Sequence, residues 1–152
     1  MITYTKATLK DIDAMQKLVQ PEVESGKILY RAPDEIATNI RSYTLAKEGD
    51  ELLGFGALHI HAPALAEIRS LIVSEKSRGK GIGRQLVRDL LKEAKEIGVK
   101  QVFTLTYEKL FFEKLGLREI PKESLPEHKI WADCIKCKHF PVCDEIALII
   151  DI

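Results

Sequence analysis

Residues 68–86, IRSLIVSEKSRGKGIGRQL, restrict the fold more than any other part of the chain. A run of apolar and β-branched residues ends near Val73, and glycines follow at positions 79, 81 and 83. From Arg84 the apolar residues Leu86, Val87, Leu90, Leu91, Ala94 and Ile97 keep helical spacing, with Gly98 placed as a C-cap. A buried strand feeding an amphipathic helix through a glycine turn is a unit of α/β sheets. The turn also has a chemical consequence. A helix N-terminus carries unpaired N–H groups and a partial positive charge, and glycines let consecutive N–H groups close around an anion. Arg78, Lys80 and Arg84 add charge at the rim.

Two familiar phosphate loops do not fit. A Walker loop needs Ser or Thr after its Gly-Lys, and Gly81 follows Lys80; the dinucleotide fingerprint G-x-G-x-x-G finds Arg84 at its third glycine position. The anion site is local, because 23 Lys and Arg balance 23 Asp and Glu, which argues against nucleic acid or an anionic membrane as partner. The N-terminal stretch MITYTKATLKDIDAM lacks the apolar core of a signal peptide, and no apolar run approaches the ~18 residues of a membrane span. A cytoplasmic protein is expected. With 152 residues and no repeat or linker, one domain over 1–152 is expected.

The remaining elements can be placed coarsely. Residues 2–5 read as a strand, and Thr8 with Asp11 as a capping box opening a helix through Ile12, Met15, Leu18 and Val19. Pro21 is expected to interrupt or kink that helix and Gly26 to help end it, with a shorter helix after Pro33 running through Ile36 and Ile40. Strands follow at 42–46, 51–61 and 65–73, the first two as a hairpin around Gly49-Asp50. Gly54 and Gly56 within the second suggest close backbone approach. Residues 102–105 read as a strand, 107–115 as a short helix ended by Gly116, and 145–150 as a last strand. Strands first and strand–helix–strand–helix later indicate a mixed α/β sheet with helices on its faces.

The motif left after exclusion is R-x-x-G-x-G, carried by Arg78, Gly81 and Gly83 between a strand and a helix. It resembles the acetyl-CoA pyrophosphate loop of the GNAT superfamily of N-acetyltransferases. The resemblance implies a V-splayed mixed sheet of about seven strands with about four helices. It implies acetyl-CoA held by Leu71, Ile72 and Val73, by the loop residues Arg78, Gly79, Lys80, Gly81, Ile82, Gly83 and Arg84, and beside Phe112. The segment LFFEKLGL matches the superfamily's later motif, with Phe112 where a Tyr often protonates the departing thiolate.

Other segments resemble the acetyltransferase domain of N-acetylglutamate synthases, in particular the short stand-alone bacterial members. GKILYRAPDEI at 26–36 resembles their glutamate-holding segment, placing Leu29 and Arg31 at the substrate. AEIRSLIV at 66–73 resembles the strand carrying the general base, which falls on Glu67, with Ser70 facing the amine. The tail KIWADCIKCKHFPVCDE resembles their ending, but no Arg stands there for the second carboxylate, and Lys129 or Lys136 is the available substitute. The resemblance thus implies transfer of acetyl from acetyl-CoA to the α-amine of L-glutamate, the first step toward arginine, and it leaves a homodimer open. Two rivals stand beside it: a related enzyme acting on another small amine or a protein N-terminus, and a CoA- or zinc-binding module without turnover.

Each site residue also has a plain structural reading. Glu67 reads equally as a solvated strand carboxylate paired with Arg69, and Arg31 as a surface charge flanking a helix. His59 and His61, two apart on a strand, read as ordinary sheet histidines, as proton acceptors or as metal ligands. Tyr107 reads as a helix-start packing residue, with a substitute acid as the alternative. Cys134, Cys137 and Cys143 with His139 offer a Cys3His set, but the irregular spacing leaves buried thiols, zinc ligation and redox chemistry all open.

Overall fold

A computed structural model describes residues 1–125 and 145–152. Seven strands form one sheet in the order β1-β2-β3-β4-β5-β7-β6. They are β1 (Ile2–Lys6), β2 (Tyr43–Glu48), β3 (Glu51–Ala62), β4 (Leu65–Val73), β5 (Gln101–Thr106), β6 (Arg118–Ile120) and β7 (Ile146–Asp151). Among the described residues four helices accompany them: α1 (Ile12–Glu24), α2 (Pro33–Thr38), α3 (Ile82–Ile97) and α4 (Lys109–Glu113). Only β4 and β5 pair in parallel; every other adjacent pair is antiparallel. The mixed, seven-stranded sheet and its four helices agree with the architecture expected from the sequence. None of the described helices is long and apolar enough to cross a membrane.

Local chemistry accounts for most element boundaries. The Thr8 N–H donates to Asp11 Oδ2 at 2.8 Å, forming the capping box that starts a short 3-10 turn into α1. Helix α3 starts at Gly81 and ends at Gly98, both left-handed (φ +79° and +99°). Three details differ from expectation. Pro21 lies inside α1 and the helix continues to Glu24, because proline removes one N–H near the helix end without blocking the last turn. Helix α2 stops at Thr38, and Ile40 begins a separate 3-10 turn after Asn39. Helix α4 spans Lys109–Glu113 only, and strand β6, which the sequence pattern did not reveal, pairs with β7 beyond it.

The two faces of the sheet bury different helices. Leu58, Ala66 and Ile68 pack with Val87, Leu90 and Ala94 of α3. On the opposite face Tyr43, Leu45, Phe55, Ala57 and Ile72 pack with Met15 of α1 and Ile36 of α2. Met15, Leu86, Leu90 and Ile68 are at most 1% exposed, so each contributes about 1.5–3 kcal/mol of burial. The β3–β4 pair anchors this core and must approach closely. A Cβ on Gly54 would lie 2.6 Å from the Ile72 carbonyl oxygen, which is why glycine stands there.

Candidate active site

Strands β4 and β5 pair only along residues 65–67 and 101–103. One further link, Thr104 Oγ1 donating to the Ile68 carbonyl at 2.8 Å, closes the junction. Beyond it the two strands hold no ladder, and a cavity of about 830 Å³ is lined by residues 70–73 on one side and 104–107 on the other. A bulge prepares the β4 wall. Phe55 pairs with Ile72 and Ala57 with Arg69, so Gly56 alone faces both Ser70 and Leu71. Ser70 holds a left-handed conformation, φ +59°, found nowhere else among described non-glycine residues. The bulge also switches side-chain parity: Ile68 faces α3, but after it Leu71 and Val73 do so while Ile72 faces α1.

The glycine turn closes one end of this cavity. Gly79 and Gly81 have φ of +85° and +79°, and a Cβ on Gly79 would meet nothing within 4 Å. Backbone conformation, not crowding, therefore requires glycine at these two positions. Arg78, Gly79, Gly81, Ile82, Gly83 and Arg84 line the cavity, whereas Lys80 is exposed and stands outside that wall. The Arg78 Nε–H donates to the Val73 carbonyl at 3.2 Å, tying the turn to the end of β4. Phe112 is 3% exposed and belongs to the core beneath α3 while touching the cavity. Its neighbour Phe111 meets it edge-on at 5.0 Å and also approaches Gly83.

Polar groups gather at the other end. Glu67, Arg69, Ser70, Leu29 and Arg31 all line the cavity. Glu67 is 1% exposed, which excludes its reading as a solvated strand carboxylate. Its Oε1 lies 2.9 Å from His61 Nε2. Arg31 precedes α2, its backbone carbonyl accepting from Gln16 Nε2 at 3.1 Å and its guanidinium meeting Glu35 Oε2 at 2.8 Å. The Arg31 side chain is only 11% exposed, so Arg31 is not a surface charge. Tyr43 stands against this group: burial pushes its hydroxyl pKa up, while Arg31 and Arg69 pull it down and Glu35 raises it. Two guanidinium groups thus act on one buried phenol beside the cavity.

Lys129, Lys136, Cys134, Cys137, His139 and Cys143 lie outside the described residues. The structure adds three features that sequence reasoning left aside. His61 contacts Glu67, Arg69 joins Arg31 on the polar wall, and Tyr107 lines the cavity with its hydroxyl buried. For Arg69 a signal existed: strand alternation puts it on the face of Glu67.

The comparisons agree with this geometry. Residues 11–117 match the Acetyltransferase (GNAT) family, and the chain belongs to that family of acetyl-CoA-dependent N-acetyltransferases. An uncharacterised N-acetyltransferase of Chlorobaculum tepidum is 39% identical over 94% of this chain and 92% of that protein. The amino-acid acetyltransferase of Mycobacterium tuberculosis is 33% identical over 76% of this chain and 67% of that protein. Among solved structures, Neisseria gonorrhoeae N-acetylglutamate synthase, complexed with coenzyme A and N-acetyl-glutamate, superposes with TM-score 0.88 at 22% identity. That match covers 99% of this chain but 35% of the longer synthase, and it speaks for the fold.

Proposed function

We propose that the chain acetylates the α-amine of L-glutamate with acetyl-CoA, a reaction that opens arginine synthesis. The observation that carries the reading is the pair of guanidinium groups, Arg31 and Arg69, on the same cavity as the buried carboxylate Glu67. Glutamate presents two carboxylates and one amine, and each arginine can take one carboxylate through a charge-assisted pair of hydrogen bonds. In this reading Arg69 takes the second carboxylate, the contact for which the sequence offered Lys129 or Lys136. The name of the Mycobacterium tuberculosis relative, an amino-acid acetyltransferase, supports an amino-acid acceptor.

The residues present fit both substrates. The turn at 78–84 offers left-handed glycines and the α3 N-terminus to the pyrophosphate of acetyl-CoA. Strands β4 and β5 pair only as far as residues 67 and 103, so the β5-side backbone edge of residues 70–73 faces the pantetheine arm and thioester. The acceptor arrives as an ammonium ion and loses a proton to Glu67. The neutral amine then attacks the thioester carbon, the new C–N bond forms, the C–S bond breaks, and the second amine proton goes to the departing thiolate, leaving the amide and CoA thiol. Backbone N–H groups of the bulged strand stabilise the oxyanion. A thiol pKa near 8.5 makes the thiolate a competent leaving group, so Phe112 in place of a Tyr is chemically tolerable.

The test is release of free CoA from acetyl-CoA across a panel of acidic amino acids, glutamine, polyamines and peptides. Glutamate should be the preferred acceptor by kcat/KM. Turnover with a polyamine or peptide and none with glutamate would overturn the acceptor assignment. CoA binding without turnover on any acceptor would overturn catalysis altogether.

A further inference from the structure

A carboxylate that has lost its water resists ionisation, yet a general base must rest as the carboxylate. Glu67, 1% exposed, faces this conflict directly. The compensating contact comes from β3. Ile60 pairs with Ala66 and Ala62 with Leu65, which leaves His61 as the extra residue of a second bulge. His61 Nε2 reaches Glu67 Oε1 at 2.9 Å, with each side chain 2% exposed. Two rings hold the imidazole in that orientation. His59, opposite Glu67 in the register, meets it edge-on at 4.7 Å, and Phe103 of β5 lies 5.3 Å away on a tilted plane.

We propose that His61 is a positioning residue for acetyl transfer: its Nε2–H donates to Glu67 Oε1, which keeps the base ionised and its carboxylate oriented. The inference rests on the reading of Glu67 as the base. The titratable and charged groups around Glu67, among the described residues, come from several elements. Strand β3 presents His59 and His61, β4 presents Arg69 on the same face, and β5 presents the apolar Phe103. Across the cavity stand Arg31 before α2 and Glu145 before β7. His61 favours the carboxylate through a direct hydrogen bond at 2.9 Å.

The experiment uses the full chain and whichever acceptor supports CoA release, with kcat/KM measured against pH. His61→Phe keeps the ring's bulk and removes the donor. His61→Gln places an amide near the Nε2 position, whereas His61→Asn places it near Nδ1, too short to reach Oε1. Glu67→Gln is the control. The acid limb should move up by about one to two pH units in H61F and H61N, the loss expected for one hydrogen bond to a charged group. In H61Q it should stay within about half a unit of wild type. The rates of H61F and H61N should approach wild type on the alkaline side. An unmoved limb in H61N and H61F, with Glu67→Gln at least 100-fold slower, would sink the role of His61 and leave the base reading intact. Equal shifts in H61Q and H61N would assign the effect to packing and overturn the donor role. A Glu67→Gln variant with wild-type rate and profile would remove the base reading itself.

Discussion

Arg31→Ala tests the acceptor assignment most directly. The side chain is 11% exposed and its guanidinium is held at 2.8 Å by Glu35, so water screens it little and its direction is set before substrate arrives. A hydrogen bond to a charged group contributes about 1.5–3 kcal/mol. Truncation also leaves the Glu35 carboxylate without this partner, adding repulsion toward an incoming carboxylate. A loss of about 2 kcal/mol corresponds to a ~30-fold rise in glutamate KM, at 1.4 kcal/mol per decade. The acetyl-CoA KM should change less than about twofold, because the glycine turn lies at the other end of the cavity. Initial rates of thiol release, with each substrate varied against saturating partner, separate the two constants. Arg31→Lys keeps the charge but not the planar fork and should fall between. Arg69→Ala should act in the same direction, and the double variant should be close to additive if each arginine holds its own carboxylate. Glutamine lacks the side-chain carboxylate, so one of the two single variants should cease to matter with it. Equal rises in both KM values for Arg31→Ala would refute the assignment.

Further predictions concern the loop, the strand pair and the N-terminal cap. Gly81→Ala forces a left-handed Cβ at the start of α3 (φ +79°), costing about 1–2 kcal/mol and raising the acetyl-CoA KM while sparing that of the acceptor; calorimetric titration with CoA checks it. Gly54→Ala puts a Cβ 2.6 Å from the Ile72 carbonyl, so denaturant unfolding should show a loss of about 1–3 kcal/mol. Burial raises the Asp11 carboxyl, but the Lys47 hydrogen bond at 2.6 Å and the Thr8 N–H outweigh it and hold its pKa below the usual carboxylate value. A folded pKa lower than the unfolded one contributes stability above about pH 4 that is lost as pH falls through the folded value. Thermal melting from pH 6 to 2.5 should therefore show a flatter acid decline in Asp11→Asn than in wild type, and parallel curves would refute the linkage.

The glycine-turn end of the cavity was largely legible in the sequence and the polar end much less so. Glycine and helix spacing are local signals, and the turn at 78–84 depends on nothing distant: left-handed φ at Gly79 and Gly81 and a helix starting at once suffice. Strand β6 was missed because three residues carry no period, and its pairing with β7 is a long-range event. The readings of Glu67 as solvated and Arg31 as a surface charge failed for a related reason. Exposure is a property of what packs on a strand face, and alternation in AEIRSLIV puts Glu67 and Arg69 on one face without showing what covers it. Period-two alternation also presumes an unbroken ladder, whereas β4 changes parity at Ser70 and β3 gains an extra residue at His61.

Those two irregularities bracket Glu67 and give the β3–β4 pair its chemistry. An uninterrupted β4 would keep Ile72 on the face of Ile68 and bond residues 70–71 fully into the ladder. The bulge at Ser70 instead turns Leu71 and Val73 toward α3, next to Ile82 and Leu86. Glu67 and Arg69, just before the bulge, retain the opposite face with Tyr43, His59 and Arg31. In the proposed reaction this one nine-residue strand presents backbone to the thioester at its C-terminal end and charged side chains to the acceptor only a few residues earlier. Deleting Ser70 should therefore harm both substrates at once, raising acetyl-CoA KM and glutamate KM together. Arg31→Ala raises only one, and that contrast separates damage to the strand from damage to a single binding group.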